Sequence, residues 1–285
     1  MGGEHMRSIG GRTCPGVAKW AAIATCLALL ATAARAGEPV ANPSLTKTWV
    51  FEAGAVFQNL DGSATADINA GGGGSVGFSQ IGLDDQSTSP FFAARWRFAD
   101  RWRVDFTFDS VDVDGNRAVS REINFGFLTI PLVAEADSSL RVRNYSSFVG
   151  YSFLKDERSE VGARLGLTVM DAEFSLSGRL NGASLGSQSA DVLGPIPTLG
   201  LYGTYALSNR WTIDGSVDGL AGSLGDYSGH YLVATANLTY WIDDMFAIGV
   251  GYRYVDGELE HEGSSITKAV AIEYSGPVVK GSIGF

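Results

Sequence analysis

The sequence predicts an all-β chain that closes as a transmembrane antiparallel up-and-down β-barrel of ten strands, with eight or twelve as the alternative counts. Three observations carry that expectation. Apolar and polar residues alternate with a period of two through one segment after another, as in a strand whose two faces meet different surroundings. Short charged turns alternate with longer connections rich in Gly, Ser and Asp. Bulky aromatic side chains collect on one face of the segments, opposite Gly and charge.

The first 36 residues read differently. Arg7, Arg12 and Lys19 precede an apolar run from Trp20 to Ala34, and Ala34-Arg35-Ala36 offers small residues at the two positions a signal peptidase reads. The run falls short of the roughly 20 residues a spanning helix needs. Residues 1–36 are therefore expected to be a secretory signal peptide cut after Ala36, and residues 37–285 a single barrel domain. Thr25 before Cys26, and the apolar sequence beyond it, argue against a lipidated cysteine. Cys14 and Cys26 both lie in this leader, so the processed chain can form no disulfide. It keeps 17 of the 21 basic and 30 of the 31 acidic residues, a net charge of −13 that argues against a nucleic-acid partner.

Tight turns stand at Ala99-Asp100-Arg101-Trp102, Lys155-Asp156-Glu157-Arg158, Ser208-Asn209-Arg210-Trp211 and Asp243-Asp244-Met245-Phe246. Longer connections lie near 58–88, 114–137, 177–191, 221–228 and 257–266. A membrane barrel needs this alternation, with short periplasmic turns and longer external loops. The expected strands are 46–57, 89–99, 101–113, 138–154, 159–176, 191–207, 210–220, 228–242, 245–257 and 267–285. The stretch Glu122 to Ile130 leaves room for an extra hairpin outside the membrane, and Gly71 to Gly74 reads as a flexible external loop. Pro195 and Pro197 each forfeit one ladder donor. The apolar face changes parity near Met170-Asp171 and at Gly276-Pro277, which reads either as bulges above the membrane band or as misplaced strand ends.

Side-chain size decides which face points outward. Trp102, Val104, Phe106 and Phe108 oppose Arg103, Asp105, Thr107 and Asp109; Phe246, Ile248, Val250, Tyr252 and Tyr254 oppose Ala247, Gly249, Gly251 and Arg253; Trp49, Phe51 and Phe57 oppose Glu52, Gly54 and Gln58. So many rings would overfill a narrow cylinder, so they are assigned to the lipid and the polar set to the lumen. In hydrocarbon the backbone polar groups must also be paired, which a closed barrel achieves. Trp49, Trp102, Trp211, Tyr240, Trp241 and Phe246 fall near the periplasmic ends, where an aromatic belt is expected. The inward charges are then Arg95, Arg97, Arg103, Arg164, Arg253 and Lys280 against Glu52, Asp105, Asp109, Glu173, Asp214, Asp218 and Glu273. Near-equal numbers predict a filled, ion-paired lumen and not a single-sign selective pore. The surplus acids, among them Asp84, Asp85, Asp112, Asp114, Glu258, Glu260 and Glu262, are placed in solvated loops.

No catalytic, cofactor or metal site is predicted. Asp112-Val113-Asp114-Gly115 is a fragment of a calcium loop only, and no Lys-Ser/Thr follows Gly74 as a phosphate-binding loop requires. His230 and His261 are read as loop or rim residues in water. Ser264 lies three positions after His261, not at the His-x-Ser spacing of small lipid A deacylases.

The last residues carry a family resemblance. Pro277, Val279, Gly281, Ile283 and Phe285 form one face, and Val278, Lys280, Ser282 and Gly284 the other. This resembles the closing strand of Gram-negative outer-membrane barrels, and the chain as a whole is similar to small barrels of the OmpA/OmpW-like type. The resemblance implies residence in the cell outer membrane, contact with its lipid and lipopolysaccharide, and recognition by the barrel-insertion machinery through the strand ending at Phe285. The plan also resembles the ten-stranded omptin proteases in size. Asp112 and Asp114 match their Asp pair and His261 their histidine, but Leu259 stands where that family's Asp-x-His needs an acid. The expected function is therefore a structural or loop-presenting envelope protein, with a narrow passage for small solutes as the first alternative and a rim-located lipid A-modifying or omptin-like enzyme as the second.

Overall fold

The computed structural model describes residues 41–285 apart from 69–71, 120–121 and 133. The expected signal peptide and its cleavage point lie outside the described residues. In chain order the elements are α1 (Pro43–Thr46), β1 (Trp49–Ile68), β2 (Gly73–Gly77), α2 (Phe78–Ile81), β3 (Gln86–Ala99), β4 (Trp102–Ala118), β5 (Ile123–Phe125), β6 (Leu128–Ile130), β7 (Glu135–Lys155), β8 (Ser159–Leu180), β9 (Ala183–Ala206), β10 (Trp211–Leu224), β11 (Tyr227–Trp241), β12 (Phe246–Glu262) and β13 (Ile266–Gly284). Among the described residues, ten strands form one antiparallel ring, β1-β3-β4-β7-β8-β9-β10-β11-β12-β13. It closes where β13 pairs with β1, from Val50↔Gly284 to Ile68↔Ile266.

The ten expected strands are all present, but they run further at their external ends. A membrane-spanning strand needs about 9–11 residues, whereas β9 has 24, β8 has 22 and β7 has 21. Most of the expected long loops are therefore continued hairpin. The connection read at 177–191 is a two-residue turn at Asn181 (φ 52°) and Gly182 (φ 82°), the left-handed pair that an Asn-Gly hairpin supplies cheaply. Of the loop expected at Gly71 to Gly74, Gly71 lies outside the described residues, and Gly73 and Gly74 open β2, which pairs back onto β1 from Asp67↔Gly73 to Ser63↔Gly77.

Along these long strands the two faces exchange their chemistry. The outward face is apolar from Trp49 to Phe57, from Tyr145 to Phe153 apart from Ser147, and from Phe246 to Tyr254, nine residues each, the length of one membrane crossing. It then turns polar: Asn59 and Asp61 on β1, Ser110 and Asp112 on β4, Arg143 and Arg141 on β7, Asp171 and Glu173 on β8, Asp256 and Glu258 on β12. The inward face does the reverse. Gln58 gives way to Leu60, Asp109 to Val111, Asn144 to Val142, Thr168 to Met170 and Arg253 to Val255, and the second member of each pair is buried. The lower half is thus a membrane barrel, polar inside, and the upper half a tower with the apolar interior of a soluble barrel.

This exchange corrects the bulge reading. Pairing of β8 with β7 and β9 is unbroken through Met170 and Asp171; that of β13 with β12 is unbroken through Gly276 and Pro277, while its pairing with β1 lapses at those two residues, between Val56↔Val278 and Asn59↔Ser275, and resumes in the same register. What changes there is the surroundings, not the register. Register shifts occur instead between Arg97 and Ala99, Ser152 and Leu154, and Gly178 and Arg179. The prolines act elsewhere. β9 pairs with β8 straight past Pro195 and Pro197, but its pairing with β10 ends at Leu199↔Gly219. A strand edge whose residues lack N–H donors cannot extend a ladder. Above this point Gly194 lies against Leu259 and Tyr227, and Leu220, inward by alternation, is 38% exposed. The wall therefore has a seam between upper β9 and β10.

The inserts fill the tower. Val76, Phe78, Ile81, Ile123, Phe125, Leu128 and Ile130 join Leu140, Phe174, Leu176, Leu259 and Val270 in one buried cluster. The β5–β6 hairpin is the extra hairpin expected in 122–130, and the Gly126 amide donates to Ala66 O at 2.8 Å, tying it to β1.

Periplasmic turns are closed by side chains that accept from backbone amides. Asp243 accepts from the amides of Phe246 (2.6 Å) and Met245 (2.8 Å), which hold its carboxyl below the ordinary aspartate range. A depressed pKa gives stability that is full above the unfolded value, near pH 4, and lost as pH falls through the folded one. Amide-exchange protection at Phe246 is therefore expected to decline below about pH 4, and to be weak at any pH in Asp243→Ala. Protection that stays level between about pH 6 and pH 3 would contradict this role.

Candidate functional site

The polar lumen is where this chain concentrates buried charge. β1, β3, β4, β8, β10, β12 and β13 each turn alternate residues inward, so six cations and six carboxylates meet in the lower barrel. Lys280 Nζ lies 3.0 Å from both oxygens of Glu52 and 3.9 Å from Asp214. Arg253 donates to Asp109 at 2.5 Å, and Asp109 also accepts from Tyr274 (2.7 Å) and Asn144 (3.0 Å). Arg164 forks onto Asp218, and Arg97 onto Glu160 and the Lys47 carbonyl. Asp105 faces Arg95, Arg103 and Arg164 at 3.4, 2.9 and 3.4 Å. Paired in this way, the ions avoid the cost of an isolated buried charge.

Small residues make room for these groups. Gly150 and Gly162 lie against Tyr202, Gly166 against Phe148, Gly200 against Asp218 and Gly249 against Lys280. A Cβ at Gly162 would overlap the Tyr202 phenol. Between the ion pairs is a cavity of about 130 Å³ lined by Arg95, Arg103, Arg164, Asp218, Asn237 and Lys280, among others.

The lumen is covered at both ends. Above lies the apolar interior of the tower. Below, α1 sits across the periplasmic mouth: Asn42 donates to Ser208 O (2.8 Å) and accepts from Thr212 (2.9 Å), Ser44 accepts from the Trp241 indole N–H (2.8 Å), and Leu45 packs on Ala206.

Several expected positions move. Glu173 and Glu273 face outward, above the band where the faces have exchanged; Glu173 lies 3.4 Å from Arg141. Glu160 takes a place in the lumen instead, buried beside Ser152 and Arg97. The signal for it was present in sequence: alternation back from Arg164 along the expected strand 159–176 points Glu160 to the same inward face. Trp241 leaves the aromatic belt to pack inward against α1, while Trp49, Trp102, Trp211 and Phe246 are exposed on the outer wall as expected.

The histidines sit on strands and not in loops. His230, on the outer face of β11, lies 3.3 Å from Asp256 and 3.7 Å from Glu258. His261 stacks on Tyr227 at 4.6 Å. Asp112 faces outward with Arg141 at 3.2 Å, four strands around the ring from His261, and Leu259 is buried in the tower. The Asp pair and the histidine are not brought together. Among the described residues no group of three or more His, Cys, Asp or Glu is placed to hold a metal.

No protein-family model matches the sequence, and comparison with characterised proteins finds no match either. Solved structures do match in shape. The outer membrane protease OmpT from Escherichia coli aligns over 83% of this chain and 97% of its own, at 11% identity and a TM-score of 0.52. The outer membrane protein OprG from Pseudomonas aeruginosa aligns over 84% and 97%, at 11% identity and 0.37. The toluene transporter TodX from P. putida aligns over 86% and 93%, at 10% identity and 0.34. The fold of this chain is that of a small outer-membrane β-barrel.

Proposed function

We propose that this protein is a non-enzymatic barrel of the Gram-negative outer membrane whose lumen does not conduct and whose upper strands hold a rigid tower outside the cell. The observation that supports the reading is the exchange of the two faces along unbroken strands. It leaves an ion-paired lumen beneath an apolar plug, with α1 across the other mouth. The outward band would meet acyl chains, and the polar ring above it the lipopolysaccharide head groups. The strand ending at Phe285 would be the segment read by the insertion machinery. A second reading, a narrow passage for small solutes, draws on the seam between β9 and β10.

Purified protein in planar bilayers is expected to show no unitary conductance above a detergent blank. Stable unitary steps would overturn the closed lumen and favour the passage. Peptide cleavage and lipid A profiles are expected to be the same for His261→Ala and the parent; a product lost with the histidine would reverse the non-enzymatic assignment.

A further inference from the structure

We propose that the lumen binds one small oxyanion, of carboxylate or phosphate chemistry, on Arg95 and Arg103. The proposal is independent of whether the barrel conducts. It rests on an imbalance of donors and acceptors across the cavity. On one side the carboxylates are well supplied: Glu52 accepts from Lys280 (3.0 Å) and Ser282 (3.5 Å), and Asp214 from Asn237 (2.8 Å) and Thr239 (3.5 Å). On the other side three guanidinium groups share two carboxylates. Arg164 is satisfied by Asp218, by Ser216 at 3.0 Å and by Asp105 at 3.4 Å.

Arg95 and Arg103 are not. Arg95 gives one long bond, Nε to Asp105 Oδ1 at 3.4 Å. Arg103 is 3% exposed and stacks on the Tyr202 ring at 3.3 Å. Its Nε approaches Asp105 Oδ2 to 2.9 Å, but outside hydrogen-bond geometry, and neither Nε nor Nη1 meets an acceptor in the protein. A guanidinium carries five N–H donors in a planar fork, which matches the paired oxygens of a carboxylate or phosphate.

Size and sign agree with such a ligand. One water needs roughly 10–15 Å³ of probe volume, so the cavity of about 130 Å³ admits a carboxylate or a phosphate. Five cations, Arg95, Arg103, Arg164, Arg253 and Lys280, line it against four carboxylates, Glu52, Asp105, Asp214 and Asp218, which disfavours a further cation, and surplus donors disfavour an apolar guest.

The full processed chain, refolded in detergent, tests this by equilibrium dialysis against radiolabelled inorganic phosphate, and separately acetate, at fixed ionic strength. Saturable uptake of one equivalent of either is expected. Arg95→Gln and Arg103→Gln should each weaken it by about tenfold or more, and Arg95→Lys, which keeps the charge but loses the fork, by less. Arg141→Gln, on the outer wall, should leave it unchanged. Absence of saturable uptake, or uptake undiminished in the Gln variants, overturns the proposal. Should Arg103→Gln fail to fold, Arg95→Gln and parent crystals soaked in selenate still decide. An anomalous peak between Arg95 and Arg103 supports the site; ordered water alone, or a peak elsewhere, overturns it.

Discussion

Replacing Asp109 with alanine is expected to cost the folded barrel about 3–5 kcal/mol, the loss typical of breaking a buried ion pair from one side. Asp109 is 4% exposed and accepts from Arg253, Tyr274 and Asn144, so three donors on three different strands converge on one carboxylate. It sits in the layer where the lumen passes from polar to apolar, with Val111 two residues above it. Without the carboxylate, the Arg253 charge is left unpaired beside an apolar plug and within a lipid-covered wall. Converting Arg253 to methionine in the same chain should recover much of the loss, because no unpaired ion then remains. Urea titration in detergent, following the folded and unfolded gel bands, measures both. A single-variant loss under about 1 kcal/mol, the scale of a surface pair, would remove Asp109 from the framework of the lumen.

Much of this architecture was legible in the sequence, for a definite reason. Alternation with a period of two, punctuated by Asp- and Ser-initiated turns, specifies strands and their partners without reference to what surrounds them. The ten strands, the four tight turns and the inward set from Arg95 to Lys280 followed directly. Alternation does not say which face meets which medium. The reading carried the membrane assignment upward past Met170 and Tyr274, and so put Glu173 and Glu273 inside. The parity change at Met170-Asp171 was the right signal given the wrong cause: it marks where the membrane ends. Pairs that cross zones, such as Thr168 followed two residues later by Met170, could have located the boundary strand by strand. The donor-rich corner at Arg95 and Arg103 had no such signal. It depends on three strands that bring Arg95, Arg103 and Arg164 to one Asp105, and on the small residues that leave space beside them.

The tower makes the same distinction testable by energy. Phe174 is fully buried, edge-on to Phe125 at 5.3 Å and stacked near Phe78 at 5.9 Å. Phe174→Ala is expected to cost about 3–5 kcal/mol, since the rings around it belong to separate inserts that cannot all move into the space. Phe106, at 43% exposure on the outer wall, is the control: lipid closes over the space its ring leaves, so truncation forfeits transfer from water but opens no cavity, and should cost less. The two losses should also differ in place. A cavity at Phe174 weakens contacts between β5–β6, α2 and upper β8, and leaves the ion pairs of Arg164 and Arg253 untouched. Hydrogen exchange should then quicken from Met170 to Leu180 and stay slow from Val161 to Thr168. Equal acceleration along the whole of β8 would mean that band and tower unfold as one unit, and that the exchange of faces at Met170 divides the chemistry of the barrel but not its stability.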